Sequence, residues 1–481
     1  MPASYFESGD ASGFKGSLRQ IACTWYGVTH ATDTAHRAQV HHGPATALHT
    51  IETVFEATNT VKTSADANEA PPRPTILTLV GTYVPGYKAG GPLRSIENLV
   101  AAFGGEFHFR IVTLDRDLGD RSPFPRIVVN RWVRVGHADV LYLRPGLRGL
   151  RCIYALLCSV DQDTVLYLNS FYARRFSMLA VLMRWFKLCR PRCLVLAPRG
   201  EFSLGALRFK RMRKLFYIRI SRWLGLYQGI IWHASSDFEA EDIRRQLPLT
   251  KHFTVGGVVL NLTSSRMQRI SLIATASDIP GVVSLGSHGR SAKRSGQLRP
   301  VFVSRFSRSK NLSGALRMLE GVSGDVSFDI YGPAEDTEYW NECQGLIVAL
   351  PPNIRVRYCG EIKHERVKEV FAEHDLFLFP TLGENYGHVI FEALASGCPV
   401  LISDQTPWRN LEAEGVGWDI PLGETKRFRS VLQQCVDGDD EWLTALSKRA
   451  MEYAAKRASA PETIDANRRL FQTALAWPNP D

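Results

Sequence analysis

LFLFPTLGENYGHVIFEALASGCPVLISDQTPW, running from Leu376 to Trp408, reads as strand, loop, helix and strand in succession. The apolar run closes at Pro380, a glycine-containing loop follows, and a helix starts near Gly387. PVLIS then returns as a second buried strand. Glu384 falls in the loop and Glu392 lies eight positions later, inside the helix. A cleft at the end of the first strand receives Glu384, the free amides of Asn385, Tyr386, Gly387 and His388, and the positive helix end. That combination suits a diphosphate beside a polyhydroxylated sugar, because ionised carboxylates only accept hydrogen bonds.

The same alternation extends outward. ILTLV (Ile76 to Val80) predicts a strand and Pro92 to Phe103 a helix with proline in its first turn. FRIVTL, VLYL, TVLYLN, CLVLAP and GIIWHA follow as strands, and Ser235 to Gln246 as a capped helix. Thr263 to Arg299, rich in Ser, Gly and Arg, reads as a linker or long loop. Beyond it come strands in VFVSRF, SFDIYG and IRVRYCG, and helices over Asn311 to Glu320, Glu335 to Leu350, His364 to His374 and His388 to Ser396. Strands alternating with helices imply an α/β fold of two doubly wound parallel-sheet domains facing one cleft. The boundaries expected are 75–262 and 300–423 for the domains, 263–299 for the linker and 424–481 for closing helices. Residues 1–74 hold five of the 13 histidines (His30, His36, His41, His42 and His49) in no metal-site spacing, and read as a poorly ordered extension.

With 45% apolar and 22% charged residues in 481, the composition is that of a globular protein. The net charge of +10 favours an anionic partner. No zinc-finger spacing or RNA-binding aromatic pattern points to nucleic acid. Nine scattered cysteines without a C-x-x-C pair predict reduced thiols and a cytoplasmic protein. No stretch reaches the roughly 18 apolar residues of a spanning helix, and Phe176 to Leu188 reads as a buried helix. RFKRMRKLFYIRISR, Arg208 to Arg222, interleaves basic and apolar side chains and suits an anionic membrane surface as well as a solvated face.

Two Glu separated by seven residues, followed by EALASGCPVLIS, resemble the signature of the group 1, or family 4, retaining glycosyltransferases. VFVSRFSRSKNLSGALRML resembles the same family, in which the Arg and Lys equivalent to Arg305 and Lys310 bind the donor diphosphate. Fixed cations there stabilise the charge that builds on the leaving group. The resemblance implies catalytic roles for Glu384, Arg305 and Lys310. It further implies donor binding by Glu392, by Asn385 to His388, by Gly332 in YGPAED, and by Gly360, Glu361 and Ile362. Gly90 and Gly91, in VGTYVPGYKAGGPLRSIENL, match the glycine loop of the family's opening segment. APRGEFS places Arg199 and Glu201 on the acceptor side, against a salt-bridge role. Where the family often has a histidine, this sequence has Asn169 and Ser170, and His233 reads as structural.

The implied fold is the B-type arrangement of two Rossmann-like domains. The implied activity is hexosyl transfer from a nucleotide-diphosphate sugar to a carbohydrate or lipid-linked acceptor, without metal or cofactor, in polysaccharide or glycolipid synthesis. A nucleotide-sugar epimerase, a phosphorylase, or a donor-binding subunit without turnover are the alternatives on this fold.

Overall fold

The computed structural model describes residues 73–208, 211–247, 271–281 and 291–478. The extension at 1–72 lies outside the described residues, as do Lys210 and parts of the expected linker.

Eight strands form the first sheet: β1 (Thr75–Leu79), β2 (His108–Leu114), β3 (Trp132–Val135), β4 (Ala138–Leu143), β5 (Thr164–Asn169), β6 (Cys193–Ala197), β7 (Ile231–Ala234) and β8 (Leu272–Thr275). Their order is β3-β4-β2-β1-β5-β6-β7-β8, and β3 alone runs antiparallel to its neighbour. The central strands are nearly continuous apolar runs because helices cover both faces. One face carries α1 (Gly91–Phe103). The other carries α2 (Leu147–Cys158), α3 (Leu179–Trp185), α5 (Arg211–Trp223) and α6 (Asp237–Gln246), with the short α4 (Leu204–Arg208) leading into α5. Ser236 caps α6 by accepting from Glu239 N.

The second sheet is wholly parallel: β9 (Gln297–Leu298), β10 (Pro300–Val303), β11 (Asp325–Tyr331), β12 (Ile354–Gly360), β13 (Leu376–Phe379), β14 (Val400–Ser403) and β15 (Gly417–Ile420). Its order is β12-β11-β10-β13-β14-β15, with β9 paired to β11. Around it lie α7 (Leu312–Leu319), α8 (Thr337–Val348), α9 (His364–Glu373), α10 (His388–Ala395), α11 (Thr425–Asp437) and α12 (Asp440–Ala458). The last helix, α13 (Pro461–Leu475), returns to the first domain. There Phe471 packs edge-on against Tyr167 at 5.6 Å, and Arg192 Nε donates to Leu475 O at 2.8 Å.

Two expectations need correction. The stretch 263–299 is not all linker: Leu272 to Thr275 form β8, paired in register with Ile231 to Ala234. Four apolar residues among serines give too short a run to stand out, and only the neighbouring strand makes them a ladder. Phe176 to Leu188 is not one helix either, since a π turn over Arg174–Met178 precedes the seven residues of α3.

Chain progress reverses between β1 and β5 in one sheet and between β10 and β13 in the other. Each reversal opens a crevice at the carboxyl ends of the strands, where ligands bind in such sheets. Most of the residues singled out from the sequence sit in loops that leave strands of these sheets, while Asn169 and Gly360 end β5 and β12, Gly91 and His388 begin α1 and α10, and Glu392 lies inside α10.

On the flank of the first domain, α5 buries Ile218 and leaves Met212, Phe216 and Trp223 at 81%, 67% and 81% exposure. Arg211, Arg213, Arg219 and Arg222 share the solvent side. Lys214 does not: it donates to Ala206 O at 2.7 Å and lies over the Tyr172 ring. Among the described residues no helix is long and apolar enough to cross a membrane, and all eight described cysteines are free thiols.

Candidate active site

The second domain contributes a compact, charged wall. β10 ends at Val303, and the chain turns through Ser304 and Arg305 into a 3-10 turn that ends at Lys310. Asn311, in the left-handed region at φ 58°, caps α7 with its side chain and donates Nδ2 to Pro380 O at 2.7 Å. That bond ties the Lys310 turn to the end of β13. Lys310 Nζ is thereby set against Glu384 Oε1 as a part-buried ion pair. Arg305 is less constrained, 3.5 Å from Glu335 with both side chains 43% exposed.

The loop from Glu384 to Gly387 leads into α10. Glu384 N donates to Gln405 O at 3.0 Å, and Trp408 Nε1 donates to Tyr386 O at 2.6 Å, so the loop backbone is held from behind. Gly387 takes φ 81°, which a side chain would strain. Glu392, on α10, is part-buried with its carboxylate 3.8 Å from His364, and desolvation pushes its carboxyl pKa up.

The glycines and their neighbours divide. A Cβ on Gly332 would meet Ser304 O at 1.9 Å, so the close approach of the β10 end demands glycine there. Gly360, at φ 81°, faces open space. Glu361 reaches across to Lys88 of the first domain at 3.8 Å, and Ile362 packs against the second core. Gly90 caps α1 at φ 64°, and a Cβ on Gly91 would lie 3.7 Å from the His388 ring.

Opposite this wall the first domain supplies a polar floor. Arg199 is 4% exposed in its side chain and adopts φ 58°. It donates Nη1 to Asp278 at 2.6 Å, Nη2 to Tyr167 at 2.9 Å and Nε to Asn169 Oδ1 at 3.0 Å. The salt-bridge role therefore holds for Arg199. Tyr167 Oη donates to His233 Nδ1 at 2.9 Å, and His233 Nε2 donates to Ala276 O at 2.9 Å. Both ring nitrogens are spent, so His233 is structural. Burial and the nearby Arg199 lower its pKa to about 4. Gly200 N donates to Glu239 at 2.6 Å, and Asn385 Nδ2 donates to Ser235 Oγ at 2.7 Å, joining the loop of the second domain to the floor.

Glu201 requires a correction. Its carboxylate accepts from Ser170 Oγ at 2.7 Å and from the amides of Phe171 and Tyr172. It braces the turn after β5, where Ser170 has φ 77°, through hydrogen bonds and not through a salt bridge.

Sequence reading missed Asp278, Ser95, Tyr167 and Ser235, which stand in unremarkable local sequence and meet only in the fold. It also passed over three Asp-x-Asp triplets, at 115–117, 161–163 and 437–439. Asp115 pairs with Arg116 at 2.9 Å, while Asp117 accepts from the amides of Tyr87, Lys88 and Leu118. Asp161 binds Thr164 and Asp439 caps α12, away from the strand ends that form the cleft. No group of three or more His, Cys, Asp or Glu among the described residues is placed to hold a metal ion.

The family described as glycosyl transferases group 1 matches residues 287–457, the stretch that carries this second-domain wall. That stretch is similar to the group 1 glycosyltransferases. Among curated proteins, a phosphatidyl-myo-inositol mannosyltransferase from Mycobacterium leprae (strain TN) is 25% identical over 195 residues, covering 38% of this chain and 50% of that protein. Its counterpart from Mycolicibacterium smegmatis is 24% identical over 208 residues, covering 41% and 52%. The chain thus spans about half the length of these glycosyltransferase relatives in each match. Among solved structures, sucrose-phosphate synthase from Thermosynechococcus elongatus superposes with a TM-score of 0.59 at 15% identity, over 84% of this chain and all of that one. HepE from Anabaena, solved in complex with UDP-glucose, gives 0.55 at 15% identity over 84% and 99%. The two Rossmann-like domains form the B-type glycosyltransferase fold.

Proposed function

We propose that this chain is a retaining glycosyltransferase that moves a hexosyl group from a nucleoside-diphosphate sugar to an acceptor hydroxyl. The observation that carries this reading is the Lys310–Glu384 pair at the head of α10, with Arg305 beside it on the adjoining strand end. Cations and a helix N-terminus there suit a diphosphate, and Glu384 suits sugar hydroxyls. The names of the relatives, a mannosyltransferase and a UDP-glucose complex, agree with such a donor.

The acceptor oxygen bonds to the anomeric carbon as the carbon–phosphate oxygen bond breaks, and the acceptor proton passes to the departing phosphate. Arg305 and Lys310 stabilise the negative charge that accumulates on that diphosphate. No metal is required, so turnover is expected to survive excess chelator. A thermal-shift screen of nucleotide sugars identifies the donor, since a specific ligand raises stability by mass action. Proton NMR of the product then reads its anomeric configuration. Inversion would overturn the mechanism, and release of a new nucleotide sugar without acceptor would favour an epimerase.

The acceptor in this reading is lipid-linked or an envelope polysaccharide, reached from the cytoplasmic face of the membrane. Support comes from α5, whose exposed Met212, Phe216 and Trp223 stand among four outward arginines. Each such cation near an anionic bilayer contributes about 1 kcal/mol, screened over about 8 Å at physiological salt. Co-sedimentation with phosphatidylglycerol vesicles should be strong at low salt and weak at high salt. It should be lost on reversing Arg211, Arg213, Arg219 and Arg222. Equal binding by wild type and reversed variant would sink the membrane role.

A further inference from the structure

The loop that carries Glu384 does not rest on the first domain by shape alone. His388, the first residue of α10, projects its Nε2 across the cleft to Ser95 Oγ at 3.1 Å and Asp278 Oδ2 at 3.3 Å. Asp278 is the hub of that contact. Its side chain is 4% exposed, and it accepts from Arg199 Nη1 at 2.6 Å and from Ser95 Oγ at 2.6 Å. Burial works against its charge, but Arg199 and His388 outweigh it and hold the carboxyl well below the usual range.

The segment bearing Asp278 is itself pinned on three sides. Ala276 N donates to Ala234 O at 2.9 Å, Asn98 Nδ2 to Ile279 O at 2.7 Å, and Asn467 Nδ2 to Ser277 O at 2.8 Å. The carboxylate is therefore a fixed point against which a side chain of the other domain is set. An ionised carboxylate accepts only, and Ser95 gives its single proton to that carboxylate or to Gly91 O. The proton between His388 and this pair must then come from Nε2. In the neutral ring this places the proton on Nε2 and leaves Nδ1 as an acceptor, and His388 Nδ1 makes no hydrogen bond among the described residues.

We propose that Asp278 is a positioning residue for sugar transfer: through Ser95 and His388 it seats the Glu384-to-His388 loop on the first domain and leaves His388 Nδ1 as an acceptor for a hydroxyl of the bound saccharide. This rests on the reading of the cleft as a glycosyl-transfer site. The roles are separable by chemistry. Asp278→Asn keeps the shape and removes the charge, Ser95→Ala removes one hydroxyl, and His388→Phe removes both ring nitrogens.

Two readouts test it in the full chain. The first needs no donor: nitrogen-15 NMR of labelled histidine should show His388 protonated on Nε2 in the wild type, with that preference lost in Asp278→Asn. The second is kinetic, with the donor found in the thermal-shift screen. Asp278→Asn and His388→Phe should each lower kcat about tenfold, with the affinity for the nucleoside diphosphate within about twofold of wild type. The double variant should be no worse than the worse single one, because coupled residues are non-additive. Should Asp278→Asn not fold, Ser95→Ala takes its place. It should lower kcat in the wild-type background and have no effect on kcat beside His388→Phe.

Multiplying effects, an unchanged kcat in Asp278→Asn, or a wild-type His388 protonated on Nδ1 alone would each overturn the proposal. If the wild type binds and turns over no nucleotide sugar, the glycosyl-transfer reading fails, while the NMR result still decides whether Asp278 sets the tautomer.

Discussion

The two domains build their halves of the cleft by different means. In the second, the ion pair of Lys310 and Glu384 comes from two short local patterns, each a strand end running into a turn and a helix. In the first, the floor is assembled from Ser95 on α1, Tyr167 and Asn169 on β5, Arg199 after β6, His233 on β7 and Asp278 after β8. In the second domain Arg305 is 43% exposed and Lys310 and Glu384 keep 19% and 13%, whereas the pair of Arg199 and Asp278 is at 4% on both sides. In the proposed reading the wall meets a ligand's phosphate, and its cations remain partly within reach. A floor that must hold the opposite domain in place buries its charges and satisfies each one internally.

Stability measurements can break this contrast most directly. Arg199→Ala strands Asp278 in a buried site and should cost about 3–5 kcal/mol by chemical denaturation. Arg305→Ala should cost less than about 1 kcal/mol, as an exposed pair contributes little. Similar losses in the two variants would mean that floor and wall are not built differently.

Acid sharpens the same distinction. His233 is held neutral in the fold with a pKa of about 4, below the ordinary 6.5, so the unfolded chain takes up the proton more readily. Its contribution is complete above pH 6.5 and is lost as pH falls towards 4, about 3 kcal/mol in all. His364, in the second domain, is also lowered to about 4, chiefly by burial, and acts in the same window. Denaturation midpoints at pH 7, 5.5 and 4.5 should therefore fall less steeply in His233→Gln than in wild type. Parallel curves would show that His233 is not the buried neutral base described.

For the wall the readout is catalysis. Glu384→Ala and Lys310→Ala should each lower transfer at saturating donor by at least about a hundredfold, or about 2.7 kcal/mol, with folding intact. Near-normal turnover in either would misplace the donor site. The smallest effect is expected at the chain start: removing residues 1–70 should leave the melting temperature and donor binding unchanged, because no periodicity there joins it to the sheet. Loss of solubility on truncation would make the extension part of the first domain.

The α/β alternation, the parallel sheets and the Glu384, Lys310 and Arg305 side of the cleft were legible in sequence. Strand-to-helix patterns are local, and a buried parallel strand such as LFLF carries its environment in its own residues. β8 was not legible, since four residues become a strand only by pairing with β7. Nor were the brace made by Glu201, the spent nitrogens of His233 or the hub at Asp278. Ser95 and Asp278 are 183 positions apart and Asp278 meets His388 from the opposite domain, so their chemistry follows from burial and distance. Sequence by itself determined the fold class and brought out the Glu384-to-Glu392 motif, because both rest on short-range periodicity and spacing. Only the tertiary structure decided which polar side chains remain available to a ligand, because that depends on which hydrogen-bonding partners the packed chain has already brought to them.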